Sequence, residues 1–233
     1  MKKILISLIS LLLISLTAGP VLAGESIKGI NDPAKLQEIG TKMIDKRISA
    51  ITKYDGFLVQ TKYIPEETLT QVRGELSRVK GELDTLKTKI LGETDVATLK
   101  EDIKSIVNNY RVYQVFLPQS AGFIAVDRLL AFQIKLTDLN NKIGQKATEL
   151  EGQGKDVTEI RALMQEAGQL LNTAGEQITL ASSKFSSMTI ADVEGARTLK
   201  LEGKTALISA RQSFSEARKL MKDAIQKIKE LTK

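Results

Sequence analysis

The sequence predicts an all-α fold: elongated antiparallel helical bundles, about six helices with coiled-coil-like heptad packing, divided into two three-helix groups joined at a proline kink. Three observations carry that expectation. Apolar residues recur every three or four positions from residue 33 to the end, the repeat of one helix face. Proline and glycine-rich turns cut this pattern into segments of helix length. Alanines recur once per heptad towards the C-terminus, which lets two helix axes approach closely.

The first helix opens at "NDPAKLQEIG", where Asp32 is placed to cap and Pro33 sits at a position whose N–H has no helical partner anyway. Leu36, Ile39, Met43, Ile44, Ile48, Ile51 and Leu58 mark its apolar face to about Gln60. After the turn "TKYIPEE", a second helix starts at Pro65, with Glu66 and Glu67 in the first turn where the dipole favours anions. Its seam of Leu69, Val72, Leu76, Val79, Leu83, Leu86 and Ile90 alternates steps of three and four, a coiled-coil spacing. Gly74 and Gly81 fall on its opposite side, and are read as tolerated on a solvent face.

Thr94 or Asp95 caps a third helix, with a stripe through Val96, Leu99, Ile103, Ile106, Tyr110, Tyr113 and Leu117. The stretch "NNYRVYQVFLPQSAGF" holds four of the ten aromatic residues of the chain and one of its four prolines. Past Pro118 the stripe resumes in a new phase through Phe116, Phe123, Val126, Leu130 and Ile134, with Leu129, Leu136, Ile143 and Leu150 widening the face, so a kink or break is expected there. Tyr110, Tyr113, Phe116, Pro118 and Phe123 are therefore the candidate hinge or partner groove, with Asn108, Asn109, Gln119 and Ser120 near enough to bond the two tyrosine hydroxyls.

The fourth helix, from about Gln119 to Glu151, carries Gln133 and Asn140 on its inner stripe, the kind of polar seam residue that sets register. "EGQGKD" is a loop, and Asp156 with Glu159 makes a cap-like start for the fifth helix. There Ala167, Ala174 and Ala181 run beside Met164, Leu171, Ile178 and Phe185. The sixth begins between Thr189 and Gly195. Its Leu207, Phe214, Met221 and Ile228 alternate with Ala210, Ala217 and Ala224, which pairs it with the fifth as an Ala-rich hairpin. The expected organisation is residues 1–23 as a signal peptide, 24–32 as a short linker, 33–117 as an N-terminal three-helix group and 118–233 as a C-terminal one.

The signal-peptide expectation rests on Lys2 and Lys3, the Ile/Leu/Ser run from Ile4 to Leu16, and "TAGPVLA" ending at Ala23. Gly19 and Pro20 interrupt the run before it reaches the ~20 residues of a membrane span. Export to periplasm, cell wall or medium follows, with cleavage after Ala23, and membrane contact only through an uncleaved segment. Removing Lys2 and Lys3 from the 34 basic residues leaves 32 against 28 acidic ones, a balance of +4. Signs interleave along most segments, as on solvated helix faces, which argues against nucleic acid as a partner. A basic cluster near the end, Arg218, Lys219, Lys222 and Lys229 with Lys227 and Lys233, marks a weak candidate contact for an anionic surface. Its plainer reading is a solvated last helix whose cations suit the C-terminal dipole.

There is no Cys, His or Trp. Thiolate sites, disulfides and imidazole general bases are thereby excluded, as are di-iron bundles, which need a Glu-x-x-His on two helices. The adjacent acids Glu66 and Glu67, or Glu101 and Asp102, sit at helix starts or on faces read as solvated, where no apolar surroundings tune them as an acid/base pair. No catalytic, cofactor or metal residue is assigned, and no enzyme is expected.

The segment "TDVATLKEDIKSIVNNYRVYQVFLPQSAGFIAVDRLL" and the ending "ARQSFSEARKLMKDAIQKIKEL" resemble a set of uncharacterised exported, all-helical, coiled-coil-rich bacterial proteins. The likeness extends from about "DKRISAITK" to the C-terminus. It implies fold and export; no activity and no site residue carries over. The functional expectation is an exported, non-enzymatic structural or protein-interaction module of the cell envelope. Its partner would be another protein, or a second copy, met through helical faces. The alternative is a holdase-like chaperone or a binder of anionic wall polymer.

Overall fold

A computed structural model describes residues 27–232, so the segment read as a signal peptide, residues 1–23, lies outside the described residues. All regular structure among the described residues is helical: α1 (Pro33–Leu58), α2 (Glu66–Gly92), α3 (Val96–Asn108), a π turn (Val112–Phe116), α4 (Leu117–Gly152), α5 (Thr158–Ser186) and α6 (Val193–Leu231). Because α3, the π turn and α4 follow one another as one interrupted helix from Val96 to Gly152, the described residues form five rods where the sequence predicts about six helices. That rod includes a stretch apolar enough to span a bilayer, but most of it is buried inside the protein, as in a core helix.

The starts follow the sequence closely, because short polar side chains satisfy backbone N–H groups that the first turn leaves without partners. Asp32 accepts from the N–H of Ala34 at 3.0 Å, Asp95 from that of Thr98 at 2.8 Å and Asp192 from that of Gly195 at 2.8 Å. Asp156 accepts from the N–H of Thr158 at 3.0 Å, although Val157 occupies the cap position of α5. Those bonds to Thr98 and Thr158 hold the Asp95 and Asp156 carboxyls below their ordinary range.

Helix α1 packs on α2, on α3 and on the first part of α4, whereas α2 and α3 touch only thinly. The seam of α2 is buried from Val72 to Ile90, with Leu69 at its edge. Gly74 and Gly81 have open space where a side chain would stand, as a solvent face requires. By contrast Gly40 faces Ile90 and Ile103, which lie 3.1 Å from the place of a Cβ, so it lets α1 settle between α2 and α3.

Helices α4, α5 and α6 pack on one another, with α5 and α6 in contact along much of their length. Ala167, Ala174 and Ala181 on α5, and Ala210, Ala217 and Ala224 on α6, have no exposed surface. Gln133 donates to the carbonyl of Leu171 at 3.0 Å and Asn140 to that of Met164 at 3.5 Å, so the two polar residues tie α4 to the α5 backbone one heptad apart. Gly175 makes room for the Gln133 amide, whose nitrogen stands 2.6 Å from where a Cβ would be.

Buried residues from Ile27 to Ala224 form one contiguous core. Ile27 belongs to the segment read as a linker, yet it is buried. Ile134 departs from its predicted stripe and is 51% exposed, while Leu129, Leu136, Ile143 and Leu150, expected to widen that face, are buried on α4.

Candidate functional site at the helix junction

The break in the long rod precedes Pro118. Helix α3 ends at Asn108, and Arg111 takes the left-handed conformation at φ 47°, ψ 26°, unusual for a residue with a Cβ. Its carbonyl accepts from the N–H groups of Gln114 and Val115 at 3.0 and 2.9 Å, which starts the chain winding again. The π turn then carries the Leu117 N–H back to the carbonyl of Val112. Proline in an α-helix clashes with the carbonyl four residues earlier; the wider π turn leads into Pro118 without that clash. Pro118 thus lies in the first turn of α4, and the predicted kink at proline is corrected to a left-handed break at Arg111.

This break resets the phase of the apolar stripe. Val112, Val115, Phe116, Leu117, Pro118, Gln119 and Ser120 are buried, and Phe123 is fully so. Tyr110 and Tyr113, expected on the same core stripe, are instead half-buried at its edge. They face different grooves. Tyr113 lies beside Glu38, Thr41, Lys42, Asp45 and Lys46 of α1, in an open groove of ≈ 580 Å³. Tyr110 lies beside Ser77, Arg78, Gly81, Glu82 and Lys89 of α2. The five candidate residues therefore divide into a buried set, Phe116, Pro118 and Phe123, and two tyrosines that can meet a partner.

Arg47 of α1 is buried against Tyr113, which lines the first groove. Its guanidinium stands 5.1 Å from the centre of the Tyr113 ring, and its Nη1 donates to the carbonyl of Met43 at 3.0 Å. A cation over an aromatic face gains from the ring quadrupole, most when partly desolvated. Burial pushes this guanidinium below its usual range, with Tyr113 acting the other way. Near the second groove, Asp102 is buried and bonded to Lys89 Nζ at 2.7 Å, with its Oδ2 lacking a hydrogen bond among the described residues. The sequence placed Asp102 on a solvated face; its contact between α2 and α3 corrects that. Burial also raises the Tyr110 hydroxyl above its ordinary value.

The polar residues expected to serve the tyrosine hydroxyls have other work. The Gln119 amide donates to the carbonyls of Phe185 and Met188 at 2.9 and 3.3 Å, fastening the start of α4 to the end of α5. Ser120 is fully buried and its hydroxyl has no partner among the described residues. Asp127 receives the N–H groups of both Lys62 and Tyr63 at 2.6 Å, so α4 also holds the loop that follows α1.

Phe185 closes this end of the three-helix group, and sequence reasoning assigned it only a place on a seam. Its ring lies between Gly122 of α4 and Gly203 of α6. A Cβ at those glycines would stand 2.5 and 2.8 Å from ring atoms. Phe123 meets it edge-on at 6.4 Å between centroids. Two glycines on different helices, each opposite one aromatic residue, are the signal that sequence alone could offer, but only the fold shows that they share it.

On α6, the basic cluster is spread over more than one side of the helix. Lys227 pairs with Glu159 of α5 at 2.6 Å. Arg218, Lys222 and Lys229 lie on one side of the helix, whereas Lys219 is set about 60–100° away from them. No group of three or more Asp or Glu side chains that could hold a metal occurs among the described residues. The chain matches no protein-family model, no curated protein and no solved structure.

Proposed function

We propose that the protein is an exported, non-enzymatic interaction module of the cell envelope, a stiff helical spacer that meets another protein through its helix faces. The observation that carries this reading is the filled junction. From Val112 to Ser120 only Tyr113 and Gln114 escape burial, and the core runs unbroken from the first group into the second. A segment packed in this way transmits position and does not flex, because opening it would expose apolar surface at about 25 cal/mol per Å². The 3/4 seams within each group support coiled-coil-like packing on two three-helix units, residues 33–117 and 118–233.

Tyr113 over Arg47, in its open groove on α1, is the contact point we assign to the partner. Tyrosine and arginine are enriched at interface hot spots, because each offers a large surface together with a polar tip. The test is a photo-crosslinking residue placed at Tyr113 in the native envelope, with a second at Thr148 near the far end of α4. One discrete heterologous protein captured from position 113 and absent from 148 is the expected result. Capture from both positions alike, or of unfolded clients with suppression of their aggregation, would replace this reading with the holdase one.

A further inference from the structure

We propose that the groove between α4 and α6 is a track for a linear polyanion, a non-nucleotide chain whose charges are phosphates. The inference is independent of the protein partner assigned to Tyr113, because it concerns another surface. Lys200, Lys204, Arg211, Arg218, Lys222 and Lys229 are spaced by 4, 7, 7, 4 and 7 residues. At about 100° per residue all six fall within an arc of about 40°, over a length of about 44 Å. The ion pairs of α6 use Lys184 with Glu202, Arg197 with Glu194, and Lys227 with Glu159. None of the six stripe cations has a carboxylate partner among the described residues.

Two rings locate the stripe. Phe132 of α4 and Phe214 of α6 meet edge-on at 5.3 Å. Neighbours three and four residues away on a helix share a face. Of those neighbours, Leu129 and Leu136, and Ala210 and Ala217, are buried towards α5. The others are Arg128 and Lys135 on α4, and Arg211 and Arg218 on α6, and they stand on the outer side of the seam. Short loops make α5 antiparallel to both neighbours, so α4 and α6 run parallel and their two cation rows run side by side. Helix axes in contact lie about 8–10 Å apart, which brings the two rows close enough for one polymer strand to touch both.

Acidic rows border the groove on both sides. Glu194, Glu216, Asp223 and Glu230 lie about 100–140° further round α6, with Lys219 between the two rows. On α4 the outer row is Asp138 and Glu149, which pair with Lys142 and Lys146 at 2.6 Å each. Positive potential is thereby confined to a strip. A flat anionic bilayer laid on this face would meet the acidic rows, whereas a strand lying in the groove would not. The α6 cation row is not interleaved with aromatic residues, and the rings at the seam, buried Phe214 and half-buried Phe132, are turned against each other, which sets the strip apart from a single-stranded nucleic-acid platform with its row of open stacking rings.

The experiment uses the chain from Gly24 to Lys233 and long-chain inorganic polyphosphate, with binding read by fluorescence anisotropy. The expected behaviour is saturable binding that weakens about 10³-fold as salt rises from about 50 to 200 mM, the signature of several released counterions. Arg211→Glu with Arg218→Glu should weaken it by about tenfold or more, while Lys35→Glu with Lys80→Glu, an equal change in net charge away from the groove, should change it less than about twofold. Circular dichroism checks that each variant folds; if the glutamates disturb folding, Arg211→Gln with Arg218→Gln should still weaken binding more than Lys35→Gln with Lys80→Gln. Equal losses in the two pairs would overturn the proposal, as would no binding at low salt. Tighter binding to phosphatidylglycerol vesicles or to an oligothymidine than to polyphosphate would overturn it too.

Discussion

The two halves of this molecule reach a dry core by opposite means. In α1–α3 the seams are large and branched: Leu76, Val79, Leu83, Ile90, Ile103 and Ile106 are all essentially buried, and α2 and α3 are spread by α1 so that they barely meet. In α5 and α6 every second core layer is alanine, and these helices touch along most of their length. Bulky seams bury more apolar area per residue but set the axes apart; alanine seams give up area for closeness, and dispersion between adjacent backbones replaces it. The second half consequently relies on steric fit at a few points, of which the Phe185 clamp is the tightest.

Mutations that probe this contrast differ widely in expected size. Phe185→Ala empties the clamp and should destabilise by about 3–5 kcal/mol in urea unfolding, at the top of the range expected for Leu83→Ala in the first half, about 2–5 kcal/mol. Equal or smaller loss at Phe185 would mean that the clamp collapses around the gap. Next, Gly122→Ala should be destabilising by about 1–3 kcal/mol through overpacking, and the same change in a Phe185→Leu background should be milder, since a smaller side chain leaves room for the methyl. Ala217→Leu belongs to the same class: about 1–3 kcal/mol of loss is expected in the alanine seam. Gly74→Ala on the open face of α2 should have the reverse sign, a gain of about 0.5–1 kcal/mol.

The smallest effect is a matter of pH. The Asp95 carboxyl lies below its ordinary range because the Thr98 N–H and hydroxyl bond its charged form. A depressed folded-state pKa stabilises the fold above the unfolded value, about 3.9, and that contribution is lost as pH falls through the folded value. The melting temperature of Asp95→Asn should therefore lie below that of the parent at pH 7, with the difference narrowing in acid below about pH 4. A difference independent of pH would assign the cap to geometry alone.

Much of the fold could be read beforehand. The cap at Asp32, a cap at Thr94 or Asp95, which the structure gives to Asp95, the seam from Val72 to Ile90 and the alanine heptads of α5 and α6 are all local patterns, since a helix places residues three and four apart on one face whatever surrounds it. Gln133 and Asn140 lie on the inner stripe as expected and are bonded to the α5 backbone. The junction was harder. Proline marks a helix boundary, yet the left-handed break sits at Arg111, a residue with no propensity for it, because the packing of Val112, Val115 and Phe116 outweighs the local strain. The α6 stripe was visible only near the C-terminus as a cluster; its extension to Lys200 needs the phase of the whole helix and the position of α4.

Where most helices begin, and the side of most that turns inward, are written in the chain, because these depend on spacing within a few residues. The tertiary structure alone decided which faces became neighbours. It put Gly122 and Gly203 on the same phenylalanine ring, turned Tyr110 and Tyr113 to the edge of the core, buried Asp102 against Lys89, and brought Phe132 of α4 edge-on to Phe214 of α6. Residues far apart in the chain meet only through the packing of whole helices, and helical periodicity fixes which way a side chain points without naming what it will face.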